Sequence, residues 1–166
     1  IFRVGDDITV MPSGFTSKIK SINLYNKELE EAYAPMSVSM TLEDDIDISR
    51  GDMIVRSNNK PEASQDLEVM LCWLNNSPAK PRAKYSIRHT SNEQKAMIKE
   101  VVYKFNINTL DRITGDAELK MNDICKVKIR TTKPLMIDSY RENRTTGSII
   151  LVDDSTNETV AAGMIV

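Results

Sequence analysis

With 22 basic and 24 acidic side chains among 166 residues and a net charge of −2, the chain lacks the basic excess of a dedicated nucleic-acid binder. Its 40% apolar content supports the core of one domain or two small ones, and no apolar run reaches the length of a membrane span. The chain opens on Ile1, in a stretch that already reads as strand and carries no signal peptide, and is expected to be part of a longer protein.

Residues 4–14 read as a turn, a short strand and a second turn, bent at Gly5-Asp6 and at Pro12-Ser-Gly14. Residues 16–23 make a strand whose alternation slips by one between Ile19 and Ile22, the mark of an edge or a bulge. Residues 25–34, acidic at Glu28, Glu30 and Glu31, read as one helical turn or an extended loop. Val38, Met40 and Leu42 alternate strictly with polar neighbours, as a half-buried strand requires. The acidic run 43–52 invites a calcium-loop reading. With Asp45, Asp47 and Ser49 at the first three ligand positions, the sixth position falls on Arg50 rather than Gly and the twelfth on Arg56 rather than Glu. The run reads instead as a solvated acidic turn, a tight turn at Arg50-Gly-Asp52 and a strand at 53–55. The Arg-Gly-Asp triplet alone is too short to specify an integrin. Residues 57–65 are polar, aperiodic and broken by Pro61, and make the linker. The boundary falls there, giving domains 1–60 and 61–166.

The second domain opens with a strand at 67–74, dense in apolar residues and ending on Trp73-Leu74. Pro78 and Pro81 make 75–82 a loop. Residues 85–89 alternate as a strand. His89, the single histidine, has neither a second histidine nor a cysteine pattern beside it, and reads as a surface or hydrogen-bonded histidine rather than a metal ligand or base. Residues 91–106 divide the evidence of composition. Ser91 and Gln94 resemble a capping box, but Val101, Tyr103, Phe105 and Ile107 alternate, so a long strand is expected. A loop follows at 110–121. A strand begins at 123, apolar at Ile124, Val127 and Ile129 with a slip, and is expected to end at Lys133-Pro134. Cys72 and Cys125 lie inside apolar segments and read as small buried hydrophobes in a reducing compartment, not as a disulfide. Three glycosylation triplets, at Asn75, Asn143 and Asn157, carry no weight without a secretion signal.

Two apolar runs, 149–152 and 160–166, flank a cluster of turn formers at 153–158, the pattern of a hairpin with a long loop. Neither run alternates cleanly, so both faces of the hairpin are expected to be covered, one by a small barrel and the other by a partner. Ile149, Leu151 and Val160, with Arg141 and Arg144 just before the hairpin, are the candidate interface residues. The two arginines would face the partner or form salt bridges within the domain. Gly147 and Gly163 are expected to be structural, one at a turn and one at a bulge or close backbone approach. About ten short strands and no helix give an all-β chain in two small antiparallel barrels.

The sequence shows no nucleophile elbow, no cysteine–histidine pair and no phosphate loop. Asn26-Lys-Glu-Leu29 begins like a guanine-reading motif but carries Leu where Asp is needed. No catalytic, cofactor-binding or metal residue is therefore assigned, and a binding or structural module is expected.

Val4-Gly-Asp-Asp-Ile-Thr-Val-Met-Pro-Ser-Gly14 and Leu42-Glu-Asp-Asp-Ile-Asp-Ile-Ser-Arg-Gly-Asp52 resemble the second domain of elongation-factor-Tu-like GTPases. The acidic form of the second motif resembles more particularly the large, GTP-hydrolysing subunit of bacterial sulfate adenylyltransferase. Trp73, residues 103–110, 134–140, 143–147 and 159–164 resemble the third domain of that subunit. The resemblance implies two barrels of the translation-factor type, 1–60 being second-domain-like and incomplete at its start. It also implies a cytoplasmic location, a small catalytic partner subunit that makes adenylyl sulfate and pyrophosphate from ATP and sulfate, and a GTPase domain that drives that step. GTP and magnesium would belong to that domain, whose motifs this chain lacks, so the chain is expected to have no activity alone. Its role would be docking and conformational coupling. The alternative is a translation-factor barrel contacting tRNA, which the acidic charge and 5% aromatic content disfavour.

Overall fold

The computed structural model describes residues 1–79, 82–116 and 118–166. Fourteen strands and no helix occur among them. The chain divides into two compact units, Ile1–Lys60 and Pro61–Val166.

The first unit is an antiparallel sheet around a small core. β1 (Phe2–Arg3) pairs with β5 (Glu31–Ala32). β2 (Asp7–Met11) lies between β3 (Thr16–Leu24) and β7 (Met53–Arg56). β4 (Lys27–Leu29) and β6 (Ser39–Leu42) both pair with β3. The slip expected in β3 is present, as a register irregularity against β6 between Ile19 and Ser21. Residues 25–34 are neither a helical turn nor a loop. Tyr25, at φ 53°, turns β3 back into β4 and then β5. Their polarity hid the strands, because Lys27, Glu28 and Glu31 stand on an exposed edge, whereas Ala32 is buried. The core consists of Ile8, Val10, Ile19, Ile22 and Ala32.

The second unit is a closed barrel. β8 (Glu62–Trp73), β9 (Lys84–His89), β10 (Asn92–Phe105), β12 (Ile124–Ile137), β13 (Ser148–Val152) and β14 (Thr159–Ile165) form it. The order is β10-β12-β8-β14-β13-β9, and pairing of β9 with β10 closes the ring. The short β11 (Arg112–Ile113) attaches to the end of β10. Closure leaves the six strands with two neighbours each, the arrangement that removes free edges. Inside lie Leu67, Val69, Leu71, Trp73, Ile87, Cys125, Val127, Ile129, Ile149, Leu151, Val160 and Ile165, among others. Trp73 meets Tyr85 edge to face at 5.7 Å and donates its indole N–H to the Ser77 carbonyl at 2.9 Å.

Three expectations change here. The linker is shorter than 57–65, since β8 starts at Glu62. β12 does not end at Pro134 but runs to Ile137. Pro134 has no N–H to donate, and the ladder with β8 accommodates it in a bulge. Pairing breaks after Arg130↔Asp66 and resumes at Leu135↔Ser64, and the Thr131 hydroxyl donates to the carbonyls of Gln65 and Lys133 inside the bulge. The alternation in β12 is also regular, not slipped. Cys125, Val127 and Ile129 point inward, and Ile124 stands outside.

The long strand expected over 91–106 is present as β10. Its register breaks against β12 between Ile98 and Glu100 and again between Val101 and Tyr103. The second break changes which face the odd residues occupy. Val101 opposes Val127 and packs on the core, whereas Tyr103 opposes Lys126 on the outside and Lys104 opposes Cys125 on the inside. Gly163 is a close-approach glycine. A Cβ there would lie 2.4 Å from Val69 Cγ1 and 3.1 Å from Leu71 Cδ1. A Cβ on Gly147 would lie 2.4 Å from the Tyr140 Cα.

Candidate functional site

Strand pairing places residues of different strands in rows on the outer wall of the barrel. One row runs Ile150, Ala162, Cys72 and Ile124 across β13, β14, β8 and β12 and leads to Phe105 of β10, next to the Lys104↔Cys125 pair. The adjacent row runs Met164, Met70, Lys126 and Tyr103. Every residue of the first row is apolar, and none of the five is fully buried. Ile124 and Met164 are well exposed, at 39% and 44%. Tyr103 and Phe105 pack edge to face with centroids 5.2 Å apart, and the Arg112 guanidinium lies 4.7 Å above the Tyr103 ring. Beyond them Ile107, Leu110 and Ile113 are exposed on the excursion that leads to β11 and onward. These residues form an apolar face on the outer wall of the barrel.

Below the apolar rows the same wall turns charged. Glu68 and Lys126 meet at 2.6 Å, Glu100 and Lys128 at 2.8 Å, and Asp66 pairs with both Arg130 and Lys99. The hydrogen bond from Lys126 holds the Glu68 carboxyl below its usual range, and that to Glu100 raises Lys128. These cross-strand pairs neutralise one another, so the wall presents an apolar field bordered by a balanced polar one. Exposed to solvent and screened by salt, pairs of this kind add little to stability.

The sequence-predicted interface residues separate into two groups. Ile149, Leu151 and Val160 are buried in the barrel core. Both runs of the hairpin carry consecutive apolar residues because one face fills the barrel while Ile150, Ala162 and Met164 stand outside. The three named residues therefore lie on the inner face and offer no surface, and the outward members are their neighbours. Arg141 and Arg144 are exposed on the turn between β12 and β13. Neither forms an ion pair among the described residues, and Arg144 lies 6.0 Å from the Tyr140 ring centroid. The salt bridges expected of them within the domain are not formed there.

His89 is buried, and its Nε2 lies 2.7 Å from the Thr146 carbonyl, a hydrogen-bonded core histidine as the sequence suggested. Both cysteines are free. Burial pushes the Cys125 thiol up to about 12, so it is inert, whereas Cys72 is partly exposed in the apolar row. The acidic run 43–52 forms a loop in which Asp52 accepts the Ser49 N–H at 2.8 Å and Asp44 accepts the Ser17 hydroxyl at 2.8 Å. No group of three or more His, Cys, Asp or Glu with metal-holding geometry occurs among the described residues. No helix among them is long and apolar enough to cross a membrane.

The sequence pointed to a second apolar face on the hairpin but not to its outward residues or to its extent, because the face draws one residue at a time from five strands. Its signal was present in the alternate apolar positions Met70, Cys72 and Leu74 of a strand whose other positions, Leu71 and Trp73, already fill the core.

A family model for the GTP-eEF1A C-terminal domain matches residues 66–166, and the chain belongs to this family of translation-factor-like β-barrel domains. The fold agrees over both units. A crystal structure of sup35 complexed with GDP superposes with a TM-score of 0.89 over 99% of this chain and 41% of that one, at 15% identity. The particular likeness is to sulfate adenylyltransferase subunit 1, as the sequence motifs implied. The chain is 45% identical over 174 residues to that protein of Sulfurovum sp., and 47% identical over 165 residues to the bifunctional enzyme CysN/CysC of Rhodopirellula baltica. It is 43% identical over 166 residues to the bifunctional enzyme CysN/CysC of Mycobacterium tuberculosis. These alignments take in 99–100% of this chain but only 25–36% of the length of the relatives.

Proposed function

We propose that this chain is the docking and coupling region of the regulatory GTPase subunit of a sulfate adenylyltransferase. The observation that carries this is the similarity along this whole chain to sulfate adenylyltransferase subunit 1 at 45% identity and to a bifunctional enzyme CysN/CysC at 47%. The apolar outer face of the barrel supports it by supplying a surface that asks for a partner. In this reading the small catalytic subunit forms adenylyl sulfate and pyrophosphate from ATP and sulfate. A GTPase domain, holding GTP and magnesium, drives that step from the same large subunit, in the cytoplasm. The barrels contribute contacts and transmit the nucleotide state, and the bond chemistry lies elsewhere. Arg141 and Arg144, exposed and without an ion-pair partner among the described residues, are further contact candidates.

The test is capture of the small catalytic subunit by this chain, with and without the GTPase domain. Capture is expected in both cases and stronger with the GTPase domain. Met164→Asp and Ile124→Asp, which place charge on the outer face, are expected to abolish it. Absence of capture in both arrangements would sink the proposal. Tight, salt-dependent tRNA retention on a filter would favour a translation role instead.

A further inference from the structure

Lys104 is an unusual residue for its place. It points inward near the end of β10, opposite Cys125, and its side chain is only 7% exposed. A buried ammonium is costly unless it is paired and hydrogen-bonded. Its Nζ lies 2.7 Å from Asp116 Oδ2 and 3.0 Å from Asp123 Oδ2. Both carboxylates belong to the excursion between β10 and β12, and both also shape its backbone. Asp116 Oδ1 accepts the Glu118 N–H at 3.1 Å, and Asp123 Oδ2 accepts the Lys120 N–H at 2.9 Å. Between them Leu119 is buried in the barrel core, and its carbonyl accepts the Ala79 N–H at 3.0 Å. The same excursion carries Arg112, which pairs opposite Phe105 and lies over the Tyr103 ring of the outer face.

We infer that the Asp116–Lys104–Asp123 triad is a latch that holds the 106–116 and 118–123 segments against the barrel end and so fixes the β10 border of the apolar docking face, where Arg112 lies over the Tyr103 ring. This rests on the proposed docking of the small catalytic subunit, and it adds how that face is kept in shape. The barrel itself is closed by six strands that do not need the triad. Among the described residues the excursion is otherwise held by the two-residue β11, Arg112 over the Tyr103 ring, the buried Leu119, turn hydrogen bonds, and two backbone hydrogen bonds between Trp73 and residues Asn122 and Asp123. Segments with so few buried contacts open locally at much lower free energy than core strands. One central cation contacting carboxylates on both sides of Leu119 is what couples the two segments. Lys104 is thus a positioning residue for the face, and it makes no contact with a partner itself.

The experiment is hydrogen–deuterium exchange of the whole chain, read beside capture of the small catalytic subunit. Lys104→Met is compared with Asp116→Asn, a milder change at a half-exposed carboxylate that keeps the test available if the first variant fails to fold. Exchange at the N–H groups of Leu110, Glu118 and Ala79 is expected to rise about tenfold or more, with β8, β12 and β14 unchanged. Capture is expected to weaken in parallel. Unchanged exchange in 106–116 and 118–123 would overturn the latch. Faster exchange with undiminished capture would overturn its control of the docking face. Loss of capture by Met164→Asp, with exchange untouched, bears on the docking surface alone and so keeps the two ideas separable.

Discussion

The two units solve the same problem with different means. The first, of 60 residues, gathers five buried apolar side chains under a sheet in which β4, β6 and β7 each pair with one neighbour among the described residues. The second closes six strands into a ring around eighteen buried residues. Closure satisfies every strand on both sides and lets one wall be filled completely, which frees the opposite wall to be apolar for another purpose. The smaller first unit has a smaller core, and its exposed Phe15, Tyr25 and Tyr33 lie outside its strands rather than in a row across them. The difference places the continuous outer apolar row on the unit with the larger core, and it is there that the proposed docking surface falls.

Substitutions can break or sharpen that contrast. Leu71→Ala, in the middle of the barrel core, is expected to cost about 2–5 kcal/mol and to move the main unfolding transition in denaturant. Gly163→Val should follow at about 1–3 kcal/mol in the same transition, since its side chain would run into Val69. Unchanged stability would remove the close-approach role of that glycine. Ile22→Val, in the first unit, is expected to cost about 0.5–1.5 kcal/mol and to shift only an earlier transition, seen by calorimetry as a separate peak. A single peak moved equally by Leu71→Ala and Ile22→Val would show that the two units unfold together.

The latch predicts a pH dependence of small size. Burial lowers Lys104, but the hydrogen bonds with Asp116 and Asp123 outweigh it and leave it raised above 10.5, while the Lys104 hydrogen bond holds Asp116 below 3.8. The lysine contribution is therefore present below its unfolded value and lost as pH rises through the raised one. The Asp116 contribution is present above its unfolded value and lost as pH falls through the depressed one. Lys104, Asp116, Asp123 and Lys120 are the charged groups concerned. Protection of the 106–116 segment, corrected for intrinsic exchange, should be flat from roughly pH 5 to 9 and fall in strong acid. The smallest effect concerns the thiols. Maleimide should label Cys72 in the native chain and spare Cys125, and bound catalytic subunit should slow labelling of Cys72.

The strands that carry a one-sided apolar pattern were legible from sequence, as at Val38, Met40 and Leu42 or at Tyr85 and Ile87. The all-β class followed from them. What was not legible depended on register. Lys27 to Leu29 looked like loop because an edge strand needs no apolar residues. Ile149, Leu151 and Val160 looked like interface because the same run holds inward and outward residues, and only pairing with β8 and β9 sorts them. Tyr103 looked like a continuation of Val101 because a bulge is invisible in the chain itself. The Lys104 triad joins residues 12 and 19 positions apart in sequence, separated by a loop with no regular period.

The bulge in β12 has a bearing on how the chain behaves in crowded solution. Among the described residues the β12–β10 ladder ends at Thr131↔Ala96, while Leu135, Met136 and Ile137 are buried and pair with β8. Pro134 interrupts the strand between them with a residue that cannot donate, and Gln94 occupies the Lys133 N–H at 2.6 Å. At this point of the strand, then, neither Lys133 nor Pro134 offers a free N–H to another chain.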